Sequence, residues 1–464
     1  MTPVIAIVGR PNVGKSTLFN RLTHSRRALV AEQPGLTRDR QYATVALAGR
    51  RCLLVDTAGL GGADDALTQL SREQARQAIL EADVTLLLVD ARRGLTIADL
   101  TVATDIRPLA RRILLAANKA EGLDDTLATS EFHELGLGGA LALSAAHGDG
   151  IARLLQTLAE HLPAERNQVP LESGASEPRV RIAIVGRPNS GKSTLVNRLL
   201  GTNRMVAHPV SGTTRDSIYV PLSRGERSYT LIDTAGVRRR SRIRDKIEKF
   251  SVVKTLQAIN DANVVILLVD AVAGVGDQDA NLLSFIVESG RALVIGVNKW
   301  DALDRERRQR VRVDLQRKLV FVDYVRQQFM SARDGRGIDA LFSAVDAAWA
   351  SASRALSTPL LTRILKRAVA MHAPPRIGRH RIKLRYAHPG GRNPPTIVIH
   401  GNQAECVPQP YRRYLGRQFR AELGLEGTPV QIELRAAENP YAGRGNPLTE
   451  RQLRRRKRIT RHGR

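Results

Sequence analysis

The sequence predicts an α/β chain in which one parallel-sheet domain occurs twice and a small α+β unit follows. Three observations predict it. VGRPNVGKSTLFNRL at 8–22 returns as VGRPNSGKSTLVNRL at 185–199, an offset of 177 residues that marks a duplicated domain. Within each copy, β-branched runs such as VIAIVG, VTLLLVD and ILLAANK alternate with longer amphipathic segments, the pattern of strands buried beneath helices on both faces. After about residue 354 that alternation ends.

The remaining elements fall in the same order in both copies. LTRDR at 36–40 pairs with TTRDS at 213–217, and DTAG at 56 with DTAG at 233, both again 177 residues apart. NK at 118 recurs at 298, and LSAAHGDGI at 143 recurs as MSARDGRGI at 330, so insertions accumulate only in the later halves. The copies are expected at 1–163 and 180–353, joined by a polar, Pro-containing linker at 164–179. In 354–438 the reading is a helix at 358–371, strands near 380–386 and 396–400, a helix at 409–424 opened by Pro410, and a strand at 429–435. Residues 439–464 are strongly basic with too few apolar residues for a core, and are expected to be disordered.

Composition bounds the function. A chain of 464 residues has room for about three domains. Its 42% hydrophobic and 25% charged residues are those of a globular protein. Cys52 and Cys406 stand far apart in unlike contexts, which excludes a disulfide framework or cysteine metal site and suits a reducing cytoplasm. No leader or membrane span is read, and a cytoplasmic monomer is expected. The net charge of +27 is uneven: residues 1–160 hold 18 basic and 18 acidic side chains, whereas 355–464 hold 23 and 6. A polyanion would therefore meet the C-terminal part, nucleic acid first among the candidates.

Each copy carries the same chemistry. Gly9-Arg10-Pro11-Asn12-Val13-Gly14-Lys15-Ser16 fits G-x-x-x-x-G-K-[ST] between an apolar strand and a helix-forming run. Its glycines let backbone N–H groups turn around phosphates, Lys15 reaches the outer phosphates, and the Ser16 hydroxyl suits Mg²⁺. Gly186-Arg187-Pro188-Asn189-Ser190-Gly191-Lys192-Ser193 repeats the arrangement. Asp56-Thr57-Ala58-Gly59 and Asp233-Thr234-Ala235-Gly236 end apolar runs, each Asp 47 residues after the loop's first glycine. There a carboxylate can hold Mg²⁺ through water, and Gly59 or Gly236 lets a backbone N–H approach the γ-phosphate. Asn118-Lys119-Ala120-Glu121 and Asn298-Lys299-Trp300-Asp301 follow strands, and an acid at the fourth place accepts from guanine N1 and N2, which adenine cannot supply. Asp301 suits this role; Glu121 is one methylene longer, so guanine preference is less secure in the first copy.

Taken in this order, these residues resemble the Ras-like GTPase superfamily. Two such domains before a small α+β domain resemble the bacterial tandem GTPase family called Der or EngA, of the TrmE-Era class. The resemblance implies two tandem P-loop GTPase domains, each a mostly parallel sheet with helices on both faces, plus a C-terminal α+β KH-like domain. It implies that Thr37 and Thr214 are switch threonines, joining Lys15, Gly59, Lys192 and Gly236 in catalysis. The Mg²⁺ sets are then Ser16/Thr37/Asp56 and Ser193/Thr214/Asp233. Ser144-Ala145 and Ser331-Ala332 match the last base-contacting loop, and Asn12 and Asn189 the asparagine associated with K⁺. GTP/GDP as ligands and a role in large ribosomal subunit biogenesis, through rRNA and ribosome binding, follow from the same likeness.

There are departures. Ras-like enzymes orient the attacking water with a Gln after DTxG, where Leu60 and Val237 stand here, so slow intrinsic hydrolysis is expected. The stretch 237–250, VRRRSRIRDKIEKF, is basic where its counterpart at 60–74 is not, which suits coupling to a polyanion or an acidic face. The third domain is read as holding Gly390-Gly391 but no G-x-x-G, the clamp of a sequence-reading KH domain, and few aromatics, so binding through phosphates or contact with a GTPase domain is expected there. Two functions remain: a GTP-hydrolysing switch that docks on a ribosomal precursor, and a nucleotide-regulated RNA-binding scaffold with only one hydrolytically competent site. An RNA-modification GTPase is weaker, because no second catalytic constellation is visible.

Overall fold

A computed structural model describes residues 2–24, 29–32, 41–57, 66–163, 179–202, 219–225, 227–232, 252–377 and 380–436. The linker at 164–178, the basic stretch 237–250 and the tail 439–464 lie outside them.

In the first copy the strands are β1 (Val4–Val8), β2 (Leu29–Glu32), β3 (Gln41–Leu47), β4 (Arg50–Asp56), β5 (Val84–Asp90), β6 (Ile113–Asn118) and β7 (Leu141–Ala142). They form one sheet in the order β2-β3-β4-β1-β5-β6-β7. β1 runs parallel to both β4 and β5, while β3 is antiparallel to β4 and β2 to β3. β1 and β5 are buried along their whole length, as expected of central strands covered on both faces. The second copy repeats this with β8 (Val180–Val185), β9 (Tyr219–Arg224), β10 (Arg227–Ile232), β11 (Val264–Asp270), β12 (Ala292–Asn298) and β13 (Gln327–Phe329), ordered β13-β12-β11-β8-β10-β9. Both are mostly parallel α/β sheets.

Parallel strands need crossovers, and helices at Ala66–Glu81, Ile97–Ile106 and Asp125–Ser130 supply them in the first copy, with Val252–Asp261, Asp277–Glu288 and Arg305–Lys318 in the second. In such a sheet, ligands bind beyond the carboxyl ends of the strands. The ends of β1, β4, β5 and β6 carry Val8, Asp56, Asp90 and Asn118, so the sheet brings the predicted motifs to one edge.

The two copies share one hydrophobic cluster, in which Val4, Tyr42 and Leu53 of the first join Leu256 and Ile259 of the second, and polar bonds cross the same seam. The Thr2 amide and hydroxyl both donate to Asp261 Oδ1, at 2.9 and 2.7 Å, and Asn260 Nδ2 donates to Thr44 Oγ1 at 3.1 Å.

The remaining compact unit comprises, among the described residues, 356–390, 396–422 and 431–436. Its helices are Thr358–Met371 and Gln409–Leu423, and β16 (Lys383–Gly391), β17 (Thr396–Asn402) and β18 (Gln431–Ala436) form a sheet in that order. A short hairpin of β14 (Arg376–Ile377) and β15 (His380–Arg381) precedes it. The first strand thus lies later than the expected 380–386, because residues 380–381 pair in this hairpin instead. It also runs through Pro389, which an edge strand tolerates. One G-x-x-G does occur in this part of the sequence, Gly424-Leu425-Glu426-Gly427, and the expectation above passes over it. It does not present a nucleotide clamp: Gly427 accepts from the Leu293 amide at 2.7 Å and donates to the Tyr324 carbonyl at 2.8 Å, joining the rim of the second copy's sheet.

Candidate functional site

The loop after β1 is built by backbone conformation. Asn12 takes φ 66° and Gly14 φ 97°, turns that bring the chain back on itself before the Lys15–His24 helix. A Cβ at Gly14 would overlap the Asn118 amide, so the loop needs glycine for space as well as for φ. Gly191, at φ 96°, stands in the same relation to Asn298, and Asn189 takes φ 63°.

Lys15 is 7% exposed, and its ammonium donates to the Arg10 carbonyl at 2.9 Å. Burial lowers its pKa to about 8, partly offset by the Asp56 charge. Lys192 makes the matching bonds to the Gly186 and Arg187 carbonyls at 2.9 and 2.7 Å. Asp56 is 4% exposed; burial pushes its pKa up, against hydrogen bonding from the Ser16 hydroxyl and the charge of Lys15. Its Oδ1 is buried with no hydrogen-bond partner among the described residues. A half-satisfied buried carboxylate beside a hydroxyl is an arrangement a hard cation completes, so these donors fit Mg²⁺.

Asn118 joins three segments. Its Nδ2 donates to the Val13 carbonyl at 2.8 Å and its Oδ1 accepts from the Ala145 amide at 2.8 Å. Asn298 does the same with Ser190 and Ala332, at 2.9 and 2.8 Å. Lys119, at φ 65°, donates to Asp90 Oδ2 at 2.7 Å and to the Asn12 carbonyl at 2.9 Å. Burial raises the Asp90 pKa, but the Lys119 bond and charge, with the Arg92 and Arg93 amides, bring it below the usual carboxylate range. Lys299 and Asp270 pair likewise at 2.6 Å.

The two acids expected to contact the base, Glu121 and Asp301, sit beside the Ser144 and Ser331 loops. Glu121's own amide, the Ser144 hydroxyl, Arg92 and His147 hold its carboxyl below the usual range. The Ser331 hydroxyl does so first for Asp301, helped by its own amide, Arg333 and Arg336. The structure therefore gathers Gly9 to Ser16, Asp56, Thr57, Asn118, Lys119, Glu121, Ser144 and Ala145 at one sheet edge, and Gly186 to Ser193, Asn298, Lys299, Asp301, Ser331 and Ala332 at the other. Thr37, Ala58, Gly59, Leu60, Thr214, Asp233, Thr234, Ala235, Gly236 and Val237 lie outside the described residues.

Sequence reasoning missed three supports. Arg10, read as a nucleotide contact, forms a buried ion pair with Asp99 at 3.2 Å. Asp99 also accepts from Thr96, capping the Ile97–Ile106 helix. Arg187 and Asp279 repeat the pair at 2.7 Å. Arg21 donates to the Ala145 and Ala146 carbonyls, and Arg198 to those of Arg333 and Asp334, pinning each base loop from the helix after the glycine loop. Asp90 and Asp270 are the third. The signal was present, since Arg21 and Arg198 lie in the repeated NRL and each Asp ends a repeated strand.

Comparison with known proteins gives the following likenesses. A family model described as "50S ribosome-binding GTPase" matches residues 4–119 and 181–299, and one described as "KH-domain-like of EngA bacterial GTPase enzymes, C-terminal" matches 356–435. The chain is 52% identical over 462 residues to GTPase Der of Thioalkalivibrio sulfidiphilus, covering 100% of this chain and 99% of that one. It is 54% identical over 443 residues to GTPase Der of Cupriavidus taiwanensis, covering 95% and 99%. Among solved structures, the G domain of the T. maritima FeoB iron transporter matches at 25% identity and TM-score 0.28, covering 35% of this chain and 99% of that one.

Proposed function

We infer the function from the premise that the chain belongs to the GTPase Der family, with two GTPase domains and the KH-like C-terminal domain of that family. It is an enzyme that hydrolyses GTP. No helix among its described residues is long and apolar enough to cross a membrane.

We propose that both copies are GTP-dependent switches and that together they license docking on the large ribosomal subunit during its assembly, with rRNA contacted chiefly by the basic C-terminal part. The observation that carries this reading is the duplication of the entire polar framework, from Lys15 and Asn118 to Lys192 and Asn298, which a static nucleotide holder would not need twice. The description of the matching family model supports the ribosomal partner, and the surplus of 23 basic over 6 acidic residues in 355–464 supports contact through phosphates.

In each site the loop amides and Lys15 or Lys192 take the phosphates. Ser16, Asp56 and Thr37 would hold Mg²⁺ at the first site and Ser193, Asp233 and Thr214 at the second, where it would supply charge neutralisation at the phosphates. The Ser144 and Ser331 loops, with Glu121 and Asp301, select guanine. With Leu60 and Val237 unable to orient water, turnover is slow; Asn12 and Asn189 are the residues that would hold a K⁺, which would add positive charge beside the phosphates.

The test is co-sedimentation of the chain with purified ribosomal particles at fixed salt, in GDP and in a non-hydrolysable GTP analogue. Stronger binding to the large subunit with the analogue is expected. Equal, salt-sensitive binding in both states would overturn the licensing role. GTP turnover that persists unchanged in Lys15→Ala/Lys192→Ala would overturn the assignment of both sites.

A further inference from the structure

The two copies hold their base-reading acids differently. In the second, Asp301 has its cation on the base loop itself, Arg333, 3.8 Å from Oδ2. In the first, the matching place on the base loop is Ala146, and the acid is the longer Glu121. Its permanently charged partner comes instead from the loop after β5, where Arg92 stands at the place of Val272, while the base loop offers only the His147 ring at 3.9 Å. That loop has the same backbone in both copies: the Arg92 amide donates to Asp90 Oδ1 at 3.0 Å and the Val272 amide to Asp270 Oδ1 at 2.9 Å. Only the side chain has changed.

The Arg92 guanidinium spans the guanine-reading motif. Its Nε donates to the Lys119 carbonyl at 3.2 Å, its Nη2 donates to the Glu121 carbonyl at 2.9 Å, and the same Nη2 lies 3.3 Å from Glu121 Oε1. Glu121 Oε2 is buried without a hydrogen bond among the described residues, and the His147 ring lies beside it, Nδ1 at 3.9 Å.

We propose that Arg92 is a positioning residue for guanine selectivity at the first site, holding the longer acid Glu121 in the role that Asp301 fills unaided by any residue of the β11 loop. The inference rests on the reading of the first site as a guanine-nucleotide site. Its physical basis is that a glutamate carries one more rotatable bond than an aspartate, and ordering that bond costs binding free energy unless it is ordered beforehand. A planar guanidinium that grips two backbone carbonyls and one carboxylate oxygen orders it before the base arrives. Oε1 keeps a lone pair for the base, and Oε2, which makes no hydrogen bond and has only the His147 ring beside it, offers the second acceptor that the adjacent N1–H and N2–H of guanine require. An ordinary surface ion pair would contribute little and would not distinguish one base from another.

The experiment uses the full chain carrying Lys192→Ala to silence the second site, with GDP and IDP as probes, because hypoxanthine lacks the 2-amino group. Arg92→Val, the residue of the second copy, is expected to weaken GDP by about tenfold and IDP far less, so that discrimination between them falls. Arg92→Val/Glu121→Asp, which copies the second site's pair of residues, is expected to recover the discrimination. Discrimination unchanged in Arg92→Val, or GDP and IDP weakened equally without recovery in the double variant, would overturn the proposal. Failure of the Lys192→Ala parent to bind GDP at all would instead overturn the reading of the first site, and the inference with it.

Discussion

Asn118 and Ala145 are joined by a 2.8 Å bond from the Ala145 amide to Asn118 Oδ1, while the other end of the same side chain holds the Val13 carbonyl. One amide thus links the phosphate loop to the base loop, and Asn298 does so in the second copy. Each asparagine is 3% exposed.

Asn118→Ala leaves a buried amide and a buried carbonyl unsatisfied, at a cost of about 1–3 kcal/mol each. The expected outcome is a GDP affinity at the first site lowered at least about tenfold, with a lower melting temperature; Asn298→Ala acts on the second site alone. Fluorescent GDP titration of the two variants checks this, and a loss shared by both sites in either variant would contradict it.

The Arg10–Asp99 pair makes a second, separable prediction. Both side chains are almost fully buried, so removing one leaves the other charged in a dry place, at about 3–5 kcal/mol. Asp99→Ala is expected to lower the urea midpoint sharply, and also forfeits a helix cap. Arg10→Met/Asp99→Leu removes both charges and is expected to recover much of the loss. If the double variant were as unstable as the sum of the single variants, the ion-pair explanation would be wrong.

These supports show where sequence reading stops. The glycine loop, DTAG, the Asn-Lys motifs and the Ser-Ala loops are legible because each has a chemistry that demands particular residues at short spacing. Arg10 and Asp99 stand 89 positions apart, and Arg21 lies more than a hundred residues from the carbonyls it holds. Only the parallel crossovers bring such residues together. The shift of β16 has a different cause: residues 380–381 pair with 376–377 in a short hairpin, and the strand that follows runs on through Pro389 to Gly391 because it lies at the sheet edge.

Asp56 stores instability that its ligand relieves. Burial raises its folded pKa, so its ionised form is a net cost that is absent below the unfolded value and grows as pH rises through the folded one. Asp56→Asn removes that charge. The variant is expected to melt at a higher temperature than the parent in EDTA, to lose the stabilisation that Mg²⁺ with GDP gives the parent, and to hydrolyse GTP at the first site about 100-fold more slowly. Calorimetric melts with and without Mg²⁺, in the Lys192→Ala background, check all three. A variant less stable than its parent in EDTA would refute the electrostatic account.

Lys15 carries the opposite charge and a different pH window. Its pKa falls from 10.5 to about 8 on folding, chiefly through burial. Between these values the unfolded chain binds more protons than the folded one, so the cost of burying Lys15 is full below about pH 8 and is relieved as pH climbs toward 10.5. Phosphate beside the amine reverses the balance by favouring its charged form. Binding of GDP at the first site is therefore expected to take up a proton above pH 8, and the affinity to fall with pH there by up to about tenfold per unit. The measurement is titration calorimetry at pH 7 and pH 8.8 in two buffers of unlike ionisation enthalpy, with the second site silenced. Lys15→Arg keeps its charge throughout and reports the titration of guanine itself. Proton uptake equal in parent and Lys15→Arg would show that the buried lysine is charged before nucleotide arrives.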